Sequence, residues 1–61
     1  MFEIGFNTWE EFDTMETADT LEKAIEIAER LYKEMNGDEF TDEESIEVWE
    51  GTVFRYMACG E

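Results

Sequence analysis

The feature that most constrains this chain is a run of apolar residues at helical spacing. Leu21, Ala24, Ile25, Ala28, Leu31, Tyr32 and Met35 recur at i, i+3, i+4 and i+7, which gathers them on one face of an α-helix. Asp19 reads as the N-cap, with Glu22 three residues on giving a capping-box-like spacing. Asn36-Gly37 reads as the stop, because both residues tolerate the left-handed C-cap conformation. The spacing predicts a helix over about 19–36, and its apolar face needs a surface to pack on.

Short strands on either side supply that surface. Phe2, Ile4 and Phe6 alternate with Glu3, Gly5 and Asn7, the period-two pattern of a half-buried strand. Residues of about 11–16 form a weaker candidate for a second strand returning towards the helix. Gly37 to Glu44 is a polar, acidic connection, and the capping-box spacing of Thr41-Asp42-Glu43-Glu44 allows one short helical turn in it. The last third reads as a hairpin: Ser45 to Trp49, a turn near Glu50-Gly51-Thr52, then Val53 to Cys59.

The hairpin register decides which side chains share a face, since a slip of one residue exchanges them. A two-residue Gly51-Thr52 turn would set Val48 opposite Arg55. A three-residue loop is preferred, because it puts Ile46 and Val48 on the face of Phe54, Tyr56 and Ala58, and one version of it sets Glu47 opposite Arg55. The expected fold is α+β, one amphipathic helix packed on an antiparallel sheet of three or four strands. Its core is Phe2, Ile4, Phe6, the helix stripe, Ile46, Val48, Phe54 and Tyr56. The far sheet face then carries Glu3, Glu47, Trp49, Val53, Arg55 and Met57. Two readings of that face stand side by side: an interaction site, or Trp49 and Val53 shielding each other across the strands.

Composition enters through charge. The chain of 61 residues holds 18 Asp and Glu against 4 Lys and Arg, a formal net charge of −14. A chain of that length is expected to be one small acidic domain, 1–61, without room for a large pocket between domains. High charge with low hydropathy usually means disorder, yet the acids are interleaved with nine aromatic residues and proline is absent. Direct grip on nucleic acid is not expected, because phosphate binding needs clustered bases. Neither a membrane span nor a secretory leader is read. The single cysteine, Cys59, has no partner for an internal bridge, so the expected compartment is a reducing cytoplasm.

Catalysis finds little support. Histidine is absent, which removes the commonest general base near neutral pH. Cys59 has no imidazole to activate it, Ser45 sits beside acids, and paired carboxylates need a cleft to raise one pKa. No enzyme and no cofactor are expected. Asp38, Asp42, Glu43 and Glu44 are the residues a hard cation would choose, but they lack the EF-hand pattern and read as a solvated loop.

The charge pattern says more. Asp19–Lys23, Glu26–Arg30 and Glu29–Lys33 have the favourable acid-first i, i+4 order, and Arg55 is assigned to Glu47. About fourteen carboxylates are then left without a counter-charge. Same-face strand residues ~6.8 Å apart and helical turns of ~5.4 Å roughly imitate a phosphate repeat.

With its acidic strand Phe2-Glu3-Ile4-Gly5-Phe6, single helix Asp19 to Met35 and acidic hairpin Ser45 to Cys59, the chain resembles the small acidic anti-CRISPR proteins of phages and mobile elements. The resemblance rests on size, charge and element order over the whole chain. It implies an inhibitor that imitates DNA and blocks target-DNA binding by a CRISPR effector. The carboxylates expected to stand in for phosphates are Glu10, Glu11, Asp13, Asp38, Glu39, Asp42, Glu43, Glu44 and Glu47. Trp49 is an expected apolar anchor, and Trp9 is either a second anchor or a lid over the core. The expected partner is a basic DNA-binding surface of a protein or ribonucleoprotein complex, not nucleic acid or membrane. Like-charge repulsion favours a monomer. Two other readings remain: an acidic adaptor or antitoxin-like domain neutralising a basic protein unrelated to DNA, and an accessory domain whose charge serves solubility alone.

Overall fold

Two hairpins flank the helix in sequence and merge into one sheet beneath it. The computed structural model describes residues 1–58, with strands β1 (Phe2–Asn7) and β2 (Phe12–Ala18), helix α1 (Leu21–Glu34), and strands β3 (Ser45–Glu50) and β4 (Val53–Ala58). The sheet is four-stranded in the order β2-β1-β3-β4, and every pairing is antiparallel. This is the expected α+β arrangement of one helix on an antiparallel sheet.

The helix is two residues shorter at each end than its apolar pattern suggests, and its N-cap is Thr20 rather than Asp19. Thr20 has extended backbone, and its hydroxyl accepts from the Lys23 N–H at 3.2 Å, which satisfies one of the donors left open in the first turn. At the other end Asn36 takes the left-handed conformation, φ +56°, so this half of the expected stop holds. Gly37 begins a 3-10 turn, Gly37–Glu39, instead.

Ile4, Ile46 and Val48 are fully buried with Ala24 and Ala28 from the helix. The two alanines let the helix backbone lie close over the two central strands, and each large aliphatic contributes ~1.5–3 kcal/mol by leaving water. Phe2, Ala18 and Leu31 complete the buried cluster, with Phe6, Ile27, Tyr32, Phe40 and Tyr56 packed around it. Ile25 of the predicted stripe is half-buried, and Ile27 packs against the core instead. Phe40 closes one end by meeting Phe6 and Tyr32 at ring separations of 5.4 and 5.5 Å.

Both outer strands carry an extra residue. In β1–β2 the register shifts between Ile4 and Gly5, which leaves Met15 without an opposite number. In β3–β4 it shifts at Val48/Trp49, which does the same for Arg55. The second bulge corrects the expected hairpin. The loop has two residues, Gly51-Thr52, not three, yet Val48 faces Tyr56 rather than Arg55, because Arg55 is stepped over inside the strand. Phe54 therefore leaves the core for the far face, opposite Trp49, and is 46% exposed. Glu47 faces Met57, and Arg55 pairs with Glu50 at 2.5 Å rather than with Glu47. Val53, opposite Glu50, also leaves the far face. The end of the expected strand, Cys59, lies outside the described residues.

Candidate functional site

The register fixes which loops share an end of the sheet. Asn7 at the end of β1 faces both Phe12, the start of β2, and Ser45, the start of β3. The β1–β2 loop and the segment leading into β3 therefore emerge at the same end. The helix starts just after Ala18 at the opposite end and runs back, so its C-terminus and the 3-10 turn arrive at this end too. The helix dipole adds roughly half a negative charge there.

This end gathers most of the expected phosphate-mimicking residues. Glu10 and Glu11 are exposed in the first loop. That loop is closed by the Thr8 N–H donating to the Glu11 carbonyl at 2.8 Å, while the Thr8 hydroxyl accepts from the Glu10 and Glu11 N–H groups at 3.3 Å. Asp38 and Glu39 are exposed on the 3-10 turn, and Asp42 and Glu43 on a reverse turn before β3. The Thr41-to-Glu44 spacing does close on itself, although as a turn rather than a helix. The Glu44 N–H donates to the Thr41 carbonyl at 3.1 Å, and the Glu44 carboxylate accepts from the Thr41 N–H at 2.9 Å. Asp13 lies one residue pair in from the end, opposite Phe6, and Glu47 two pairs in, opposite Gly5. Lys33 in the last helical turn is the one base drawn towards this end, where it lines a small hollow with Asp38 and Glu39.

Trp9 is not a lid over the core. It is 77% exposed and lines a shallow pocket of about 410 Å³ with Asp42, Glu43, Glu44, Ser45 and Glu47. Its neighbourhood joins an apolar ring to the acidic end. Trp49 lies elsewhere, opposite Glu3 and away from the loops.

On the face away from the helix, Trp49 is the middle of an aromatic row, 6.5 Å from the Phe12 ring and 5.4 Å from Phe54. Phe12 sits opposite Asn7 and Trp49 opposite Glu3, so their contact crosses Gly5, which leaves room for it. The two carboxylates on this face are both held. Glu3 accepts from the Thr14 hydroxyl at 2.9 Å. Glu47 accepts from the Trp49 indole N–H at 2.8 Å and the Ser45 hydroxyl at 3.2 Å. The aromatic row and these held acids depend on which residue of β2 and β4 is stepped over, which the sequence pattern alone does not mark.

The helical ion pairs differ from those expected. Among the described residues, Arg30 pairs with Glu16 of β2 and with Glu34 at 3.7 Å, not with Glu26, and Lys23 and Lys33 are in no ion pair. The Arg30 pKa is raised, first by the hydrogen bond to Glu16 and then by that carboxylate's charge. Tyr56 of β4 donates to Glu29 at 3.2 Å, and its pKa is raised above 10.0, chiefly by desolvation and then by the bond to Glu29. Among the described residues no group of three acids or thiols is placed to hold a metal ion, and no helix is long and apolar enough to cross a membrane.

Comparison of the chain with protein-family models, curated proteins and solved structures finds no match to any of them.

Proposed function

We propose that this chain is an inhibitor that acts without catalysis, as an acidic stand-in for DNA on a basic DNA-accepting surface, with a CRISPR effector complex as its target. The observation that supports this reading most is the gathering of Glu10, Glu11, Asp38, Glu39, Asp42, Glu43 and Glu44 at one end from separate chain segments, with Lys33 as the nearby base. Concentrating like charge beside a helix C-terminus costs stability, so a partner of opposite charge gives the arrangement a use. Trp9, exposed among these acids, supplies the apolar contact that charge alone does not.

The test is target-DNA binding by purified effector complexes, with and without this protein, at two salt concentrations. The protein should displace DNA, and less so at higher salt, because attraction between exposed charges is screened. The variant combining Glu10→Lys, Asp42→Lys and Glu43→Lys should inhibit at least ~10-fold less, with a flatter salt dependence. Equal inhibition by that variant would overturn the role of this end. Binding that persists when DNA already fills the groove would transfer the reading to an adaptor that neutralises a basic protein.

A further inference from the structure

The acids are not spread over the whole surface. Residues 51–60 contain no Asp or Glu, the longest such interval in the sequence, and β4 lies within it. Among the described residues β4 is also an edge strand, with β3 on one side and no strand on the other. Natural edge strands are blunted by charge, bulges or cover, and since both outer strands carry a bulge they differ in their side chains. β2, at the opposite edge, follows that rule with Asp13 and Glu16 in the strand and Glu11 just before it. β4 instead exposes Val53, Phe54 and Met57.

The carboxylates along β4 are engaged as far as Met57, which itself borders the acidic end and lines one pocket with Asp42, Glu43 and Glu44. Glu50 pairs with Arg55, Glu29 accepts from Tyr56, and Glu47, opposite Met57, is held by Trp49 and Ser45. Between the helix and β4 runs a groove of about 750 Å³ lined by Glu29, Arg30, Lys33 and Tyr56 among others, where Arg30 is engaged by Glu16 and Glu34 and Lys33 faces Glu29 one helical turn back.

We propose that β4 is an interface strand and that its partner is a second copy of this chain, paired antiparallel across a twofold axis. Charge selects this occupant. A basic partner is drawn to the acidic end, whereas β4 offers it Arg55 and no carboxylate. Two copies carrying −14 each repel wherever acid faces acid, and antiparallel β4 against β4 is the contact that keeps the acids bordering Met57 of one copy away from those of the other. β4 runs towards the acidic end, so antiparallel pairing sends the two acidic ends to opposite extremes of a continuous eight-stranded sheet. The pairing is isologous and closed, as a twofold dimer requires, and it covers both exposed edges at once.

The test is sedimentation equilibrium over a concentration series at low and high salt. A reversible dimer is expected, and higher salt should strengthen it by screening the remaining repulsion. That is the opposite sign to the salt response of the proposed DNA-competing contact, so the two readings fail separately. The variant combining Val53→Glu and Met57→Glu should dimerise at least ~10-fold more weakly, while Met15→Glu on the β2 edge should leave the dimer unchanged. Amide hydrogen exchange in the unaltered protein gives a check free of folding defects: protection in β4 should rise with protein concentration, and protection in β2 should not. A monomer at every concentration and both salts, a dimer indifferent to the double variant, or concentration-independent exchange in β4 would each overturn the proposal.

Discussion

The two hairpins are built on one device and put it to different ends. Each outer strand steps over one residue, Met15 in β2 and Arg55 in β4, and a stepped-over residue exchanges the faces of everything beyond it. Each outer strand therefore serves both sides of the sheet. Phe12 and Phe54 flank Trp49 on the open face, while Ala18 and Tyr56 pack towards the helix. The hairpins part company at their edges. β2 carries acids and is tied to the helix by an ion pair between Glu16 and Arg30, whereas β4 has no acid and is tied by a phenol donating to Glu29. The same backbone irregularity thus sits in two edge strands of opposite charge character, one carrying acids and the other a single base.

Glycine substitutions break the likeness between the hairpins most sharply, because each hairpin needs its glycine for a different reason. At Gly5, a Cβ would lie 2.0 Å from the Asp13 carbonyl oxygen and 2.9 Å from the Thr14 Cα. Both are backbone atoms that cannot turn aside, so β2 itself must move. Gly5→Ala should cost about 3 kcal/mol, which takes a third or more of the ~3–9 kcal/mol that a domain of this size holds. A fall in Tm of roughly 12–24 °C is expected by circular dichroism, at ~4–8 °C per kcal/mol. The aromatic row should loosen with it, and near-ultraviolet dichroism of Trp49 reports that.

Gly51 has open space around it but a φ of +63°. The positive φ falls on the first residue of a two-residue loop, where a type II′ turn places glycine. Gly51→Ala should therefore cost only about 1 kcal/mol, the ordinary penalty for a side chain in the left-handed region. The corresponding fall in Tm is ~4–8 °C. Equal losses at the two sites would mean that β2 relaxes around a methyl group, and that the close approach at Gly5 is not what fixes its register.

The same irregularities explain how much could be read from the sequence. The helix, the first strand and the polarity of β3 follow from intact periodicities, so Ile4, Ala28, Leu31, Ile46 and Val48 are legible as core. Unbroken alternation puts Phe54 on the face of Tyr56, and so in the core. Stepping over Arg55 is a choice made in three dimensions, where it seats Tyr56 on the helix and sets the Arg55 guanidinium 5.8 Å from the Phe2 ring. Asp19 and Thr20 are both good caps by type, and the sequence does not decide which one turns away from the helix. The gathering of Glu10, Asp38 and Asp42 at one end was hidden for another reason, since it depends on the sheet order that places the first loop beside the entry to β3.

The smallest expected effect separates the two ties to the helix. Arg30 has its pKa raised by Glu16 and keeps its charge through the alkaline range, so the tie on the β2 side has no alkaline weakness. The tie on the β4 side does. Tyr56 holds its proton more tightly in the folded chain than in the unfolded one. Its contribution is complete below the unfolded phenol value of about 10, and it declines as pH rises from there through the raised folded value, because the unfolded chain releases the proton first. Tyr56→Phe should change stability at pH 7 by no more than about 0.5 kcal/mol, as for other partly exposed substitutions. Its effect should appear as a shallower loss of stability between pH 9 and pH 12 (pH values chosen to bracket the unfolded phenol value of roughly 10), measured by denaturant midpoint. An alkaline limb unchanged by Tyr56→Phe would assign that loss to other groups, and would leave the link between β4 and Glu29 as a contact without energetic consequence.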